Sequence, residues 1–185
     1  MSSSDLIRWG GIAGMFGGVL WAVWGLLIWV YPYAGGGSFS EGLFILVFLL
    51  AALLTLAGLV GLHVLQGGNY GRIGRAGFYT AAAAFLAQAL AAFFLLLGNE
   101  ALQWLVFPVG SLAVLVGLVL YGAATLQARV LAPWCGVGLI VVPPIAFFSL
   151  FYGGSALFGV LWVALGYVLW SQRGASAQRR PSRVR

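Results

Sequence analysis

Histidine, cysteine and the carboxylates carry most proton transfer, nucleophilic attack and metal binding in proteins. This chain has one histidine, His63, one cysteine, Cys135, and three acids, Asp5, Glu41 and Glu100. One histidine cannot ligate a haem iron from both faces, and a zinc or iron–sulfur site needs clustered Cys or His. A nucleophile–histidine–acid set is equally implausible here. All nine basic residues are arginine, so no lysine is present to form a Schiff base. The expectation is a chain that is not an enzyme and has no cofactor, no metal and no catalytic residue. The acids have another reading. Asp5 follows Ser3 and Ser4, Ser38-Phe39-Ser40-Glu41 reads as a capping box, and Asn99-Glu100 reads as a cap with an acid in the first turn. Carboxylates placed there favour the positive end of a helix dipole.

The remaining polar residues offer binding rather than catalysis. Gln88 and Thr55 lie at similar depths in two apolar segments, and an amide in hydrocarbon needs a partner. A Gln88–Thr55 or Gln88–backbone hydrogen bond is expected, with Gln88 facing other helices. Pro143 and Pro144 interrupt a third segment and free carbonyls one turn earlier, for which Ser149 and Ser111 are possible donors. Broken helices can bind an ion or substrate, although most are satisfied by their neighbours. Phe93, Phe94, Phe107, Phe147, Phe148 and Phe151 cluster in the outer half beneath Glu41 and Glu100, as either a packed core or a vestibule for a lipophilic cation. Gln88, Thr55, Pro143, Pro144, Glu41 and Glu100 thus define a candidate ligand path. His63, near Gln66 and Tyr70, reads as a helix-end anchor, with pH gating as the alternative. In Gly71-Arg72-Ile73-Gly74-Arg75-Ala76-Gly77, Arg72 and Arg75 flank a helix start and are candidates for a lipid phosphate.

The elements that must position these residues are membrane spans. The chain is 63% hydrophobic and 6% charged, against about 25% charged in a soluble domain. Such a surface needs lipid as its solvent, and the fold class expected is an all-α integral membrane bundle. Six apolar stretches fall at about 9–30, 43–65, 77–97, 102–126, 134–152 and 155–170, in one bundle over 1–171. Span six reads as the shortest. A basic tail over 172–185 reads as disordered. The first stretch follows Arg8, is too long for a signal-peptide core and ends in Tyr31-Pro32-Tyr33, so it reads as a retained span. Every arginine falls at an end or loop that six spans place on one face. The positive-inside rule then puts both termini in the cytoplasm.

Between helices in lipid, close approach through small residues replaces the hydrophobic effect. There are 28 glycines. Gly10, Gly14 and Gly18 form linked four-residue steps, and Gly18/Gly25, Gly110/Gly117 and Gly159/Gly166 are pairs seven apart. Gly18-Val19-Leu20-Trp21 is echoed by Gly159-Val160-Leu161-Trp162, either by chance or because two helices pack antiparallel through glycine faces. Ala81, Ala84, Ala91 and Ala92 share a side with Gln88. Trp29, Tyr31, Tyr33, Trp104 and Tyr152 form one interface belt, and Trp9, Trp134 and Trp170 the other. Trp21, Trp24 and Trp162 lie deeper and either pack or line a cavity. Cys135 reads as packing.

The composition points to an accessory or scaffold subunit of a membrane assembly, packed beside other subunits or its own copies. The alternative is a small transporter or membrane binding protein for a hydrophobic or cationic ligand. Expected partners are the bilayer, including anionic lipid, and no nucleic acid. The all-arginine, Ala/Gly-rich composition points to a bacterial inner (plasma) membrane.

Overall fold

The computed structural model describes residues 3–30, 38–67, 70–149 and 154–171. Six helices occupy them: α1 (Ser3–Val30), α2 (Ser38–Gln66), α3 (Gly71–Leu96), α4 (Glu100–Ala128), α5 (Pro133–Phe148) and α6 (Gly154–Ser171). Five are long and apolar enough to cross a membrane, and the sixth, α5, is a shorter apolar helix of 16 residues. The shortest element is therefore α5, not α6 with its 18 residues. At 1.5 Å per residue α5 covers about 24 Å, short of a hydrocarbon core of about 30 Å. Its sequence-expected extension through Tyr152 lies outside the described residues, as do Tyr31, Tyr33, Phe151 and the basic tail.

Local chemistry explains the helix ends. Gly98 adopts φ 83°, and the Gly98 and Asn99 amides donate to the Leu95 and Phe94 carbonyls at 2.9 and 3.0 Å. This Schellman closure satisfies the last carbonyls of α3 and turns the chain directly into α4. Asn99 takes the N-cap position of α4 as expected, but its side chain makes no capping bond. α5 opens with Pro133 in its first turn, where a missing N–H costs nothing. The side chains of Ser38, Phe39 and Ser40 lie outside the description, so the capping box is not seen, although Glu41 is in the first turn of α2.

The helices form a closed ring in which each packs on its chain neighbours and α1 closes on α6. Glycine brings the backbones together. A methyl at Gly10 would sit 2.7 Å from the Gly61 Cα, and one at Gly17 would sit 2.9 Å from the Thr55 nitrogen, so α1 and α2 run antiparallel. A methyl at Gly18 would lie 2.5 Å from the Gly159 carbonyl oxygen, while Gly11 abuts Gly166 and Gly25 abuts Ser155. The shared Gly-Val-Leu-Trp motifs thus meet face to face on antiparallel α1 and α6. The Gly10, Gly14, Gly18 series is split: Gly10 faces α2, Gly18 faces α6 and Gly14 lies near both. The working period is seven, two turns of a helix whose seam stays on its partner. Gly77, Ala81 and Gly117 do the same between α3 and α4.

Antiparallel packing places Arg8, Arg72, Arg75 and Arg129 at one end of the ring, all exposed, and Glu41 and Glu100 at the other. Trp9, Trp134 and Trp170 are about half exposed at the arginine end, and Trp104 is exposed at the glutamate end. Trp21, Trp24 and Trp162 are buried in the core, as is Cys135.

Candidate functional site

Gln88 is buried on the alanine face of α3, with Ala81, Ala84, Ala91 and Ala92. Its partner is not Thr55. The Gln88 amide donates to Ser111 Oγ on α4 at 2.9 Å, next to Gly110, whose missing side chain admits the glutamine stem. Ser111 is its one hydrogen-bond partner among the described residues, so an amide with up to four bonding positions keeps spare capacity. Thr55, fully buried on α2, instead accepts from Trp21 Nε1 of α1 at 3.0 Å. An indole N–H is a donor only, and the hydroxyl is its one partner in an otherwise apolar layer.

Gln88 and Ser111 open onto a cavity of ≈ 80 Å³ inside the ring. Trp21, Phe85 and Phe158 supply aromatic walls, and Pro143, Ala146 and Ser155 close it from α5 and α6. Five of the six helices contribute; α2 acts only through the Thr55 bond that fixes Trp21. Pro143 is buried on the wall, while Pro144 is half-buried and does not line it. Both prolines stay within α5, and each leaves the carbonyl one turn earlier without its helical donor. Ser149 does not serve those carbonyls, since it donates to the Ile145 carbonyl at 2.5 Å, and the bond seen at Ser111 is the one it accepts from Gln88. Of the sequence-expected path, the fold joins Gln88 and Pro143 directly and Thr55 through Trp21. Glu41 and Glu100 are exposed on first turns and do not reach the cavity.

Among the described residues the aromatic vestibule does not assemble. Phe93, Phe94 and Phe148 are exposed on the outer surface of the ring, Phe148 at 82%. Of the described ones, Phe107 and Phe147 turn inward, each onto a different cavity. Adjacent residues on a helix point about 100° apart, so the pairs Phe93-Phe94 and Phe147-Phe148 could not all face one side. Phe85, Phe158, Ser155 and Ser111 were not singled out as wall residues by sequence. A buried serine one residue into α6 was the available signal.

At the arginine end a second polar cluster joins α2, α3 and α4. The Tyr70 hydroxyl lies 2.5 Å from His63 Nδ1, and the His63 ring stacks on Phe78 at 3.8 Å. Gln66, fully buried, donates to Thr125 Oγ1 at 2.8 Å, and Thr125 donates to the Tyr121 carbonyl. His63 is thus held by tyrosine and phenylalanine at a helix end. Burial pushes the Tyr70 phenol up from its usual range, against an opposing pull from Arg75. Arg72 and Arg75 are exposed beside Gly71, which has φ 62°. No group of three or more His, Cys, Asp or Glu able to hold a metal ion occurs among the described residues. No family model, curated protein or solved structure matches this chain.

Proposed function

We propose that this chain is a non-enzymatic, multi-pass membrane protein that binds a small, neutral, largely apolar ligand in the mid-ring cavity. The observation that carries the reading is the convergence of five helices on one cavity whose polar wall is the Gln88–Ser111 pair together with Ser155. Aromatic walls with a few polar groups are the usual chemistry of small-molecule sites. The wall holds no carboxylate, so a cation has no countercharge there and a neutral ligand fits better. The small-residue faces that point to a scaffold are taken up inside the ring, because the buried helical glycines abut neighbouring helices. In this reading the protein lies in a bacterial plasma membrane with both termini cytoplasmic, and the exposed arginines meet anionic headgroups.

One observation keeps the accessory-subunit reading in play. Two apolar grooves lie on the outside of the tightest helix pairs, one floored by Ala22, Gly159 and Ala164 and one by Ala83, Ala87 and Ala113. Small residues there would let another transmembrane helix approach closely. Native mass spectrometry of protein gently extracted from its own membrane separates the two. A small molecule retained at one copy per chain, and lost in the cavity-filling Ala146→Phe variant, supports ligand binding. Co-migration with other subunits at fixed stoichiometry and an empty cavity would replace it with the accessory role.

A further inference from the structure

The Gln88–Ser111 pair spends only part of its bonding capacity on itself. Gln88 is 4% exposed, and its Nε2 donates to Ser111 Oγ at 2.9 Å. Among the described residues its carbonyl Oε1 accepts no hydrogen bond, yet Oε1 is not one of the polar atoms sealed inside the protein without a partner. Gln88 lines the mid-ring cavity, so this oxygen faces it. Ser111 lines the same wall. Its oxygen accepts from Gln88, and its own O–H donates to no group among the described residues. The pair therefore presents a free acceptor and a free donor to the cavity. Turning the amide over exchanges the roles: Ser111 then donates to Oε1, Nε2 becomes the free donor and Ser111 Oγ the free acceptor. Ser155 lies on the same wall, but its hydroxyl oxygen is sealed where α6 abuts Gly25 and does not reach the space.

The remaining lining is hydrocarbon. The Trp21 N–H is already engaged by Thr55, and Phe85, Phe158, Pro143 and Ala146 offer no polar side-chain atom. An ionised group has no countercharge on this wall and is excluded by the cost of burying a charge. A ketone or ether only accepts, and would leave the pair's own acceptor unpaired. A primary amide brings two N–H donors, more than one free acceptor can meet. A hydroxyl donates once and accepts through the same atom, which matches the pair. Water would match it too, but would leave the aromatic walls wet, whereas an alcohol sets carbon against them. The cavity, at ≈ 80 Å³, has about half the ~150 Å³ that admits benzene, so it suits a molecule of about three or four heavy atoms.

Resting on the ligand-binding reading above, we infer that the ligand of the mid-ring cavity is a small alcohol. Its hydroxyl donates to one member of the Gln88–Ser111 pair and accepts from the other, and its alkyl part lies against Trp21, Phe85 and Phe158.

The test compares 2-propanol, acetone and isobutane, which share one branched shape. The first donates and accepts, the second only accepts and the third does neither. Each is titrated into the full chain in nanodiscs. The readout is the Gln88 side-chain amide resonance in nitrogen–proton correlation spectra, identified by its loss in Gln88→Leu. Dissociation constants are referred to the probe's concentration in the bilayer, so unequal partitioning cancels. 2-Propanol should move the resonance saturably and bind roughly two- to tenfold tighter than acetone, as one further hydrogen bond implies, and tighter again than isobutane. Ser111→Ala should weaken 2-propanol roughly two- to tenfold and leave isobutane unchanged. Ala146→Phe, which fills the cavity, should abolish the response to all three. The comparison of probes on the unaltered chain stands whether or not either variant folds. Saturable binding of all three with equal constants would overturn the alcohol assignment and leave the ligand-binding reading standing. A 2-propanol shift that survives Ala146→Phe would place the alcohol elsewhere and overturn the assignment. A resonance that none of the probes saturates would leave water as the occupant and overturn both.

Discussion

Trp21 shows how much one side chain can decide. Its indole N–H reaches Thr55 across the α1–α2 interface, while its ring forms part of the mid-ring cavity wall. Breaking the bond by Thr55→Val or Trp21→Phe should cost about as much as other interhelical bonds in membranes. A double-mutant cycle in reversible micelle unfolding should give a coupling of about 0.6 kcal/mol and no more than ~1.7 kcal/mol. A coupling near zero would mean the indole is held by packing alone. Gln88→Leu removes the one polar pair on the cavity wall. Retained ligand should fall roughly two- to tenfold, as expected for one lost hydrogen bond, while the helical spectrum stays unchanged. At the arginine end, Tyr70 carries a pH signature. Its folded-state pKa is raised by burial, so the folded state favours the neutral phenol. That contribution is complete below the ordinary phenol value of about 10 and is lost as pH rises through the higher folded value. Tyr70→Phe should flatten the alkaline arm of a melting-temperature profile, and an unchanged arm would place the titration elsewhere.

At the scale of elements, the seam between α1 and α6 is the clearest case of sequence becoming packing. Heptad-spaced glycines let the two backbones approach closely. Gly18→Ala would place a methyl 2.5 Å from the Gly159 carbonyl oxygen and 2.6 Å from the Val163 nitrogen. Backbone cannot yield as a side-chain tip can, so a loss of about 1–3 kcal/mol is expected in thermal or denaturant unfolding. Gly42, inside α2, meets nothing within 4 Å. Gly42→Ala should therefore stabilise by roughly 0.5–1 kcal/mol, since alanine loses less backbone freedom in a helix. Similar destabilisation in both variants would show that the α1–α6 seam is not close-packed. α5 behaves differently. Its 16 residues and two internal prolines give less helix to pack, and the cavity wall falls where Pro143 and Ala146 replace bulkier residues.

For the whole molecule, the ring closes where α6 returns to pack on α1, which sets the end of α6 beside the start of α1. In a Cys135→Ala background, single cysteines at Gln127 and at Asn99 should label oppositely with a membrane-impermeant maleimide in intact cells. Asn99 should react and Gln127 should react only after permeabilisation. The reverse pattern would invert the orientation argued from arginine, and labelling of both would remove one crossing. A third cysteine at Gly153, past α5, decides whether that short helix crosses, since it should then label as Asn99 does.

The sequence by itself determined the apolar helices and the gathering of arginine at one end of them. Apolar runs longer than a bilayer is thick, arginine confined to alternate loops and glycine at helix ends are local signals, each readable within a few residues. It also placed Gln88 inward, because the alanines around it share one face of a 3.6-residue period. Only the tertiary structure decided who partners whom. Gln88 meets Ser111 and Trp21 meets Thr55, because antiparallel register sets side chains opposite one another, and register between helices leaves no local trace in an all-apolar sequence. The same reason dispersed the outer phenylalanines between exposed outer positions and two cavities. Their clustering along the chain carried no information about direction around the ring. A cavity is the space left by several helices at once, so no single segment encodes it.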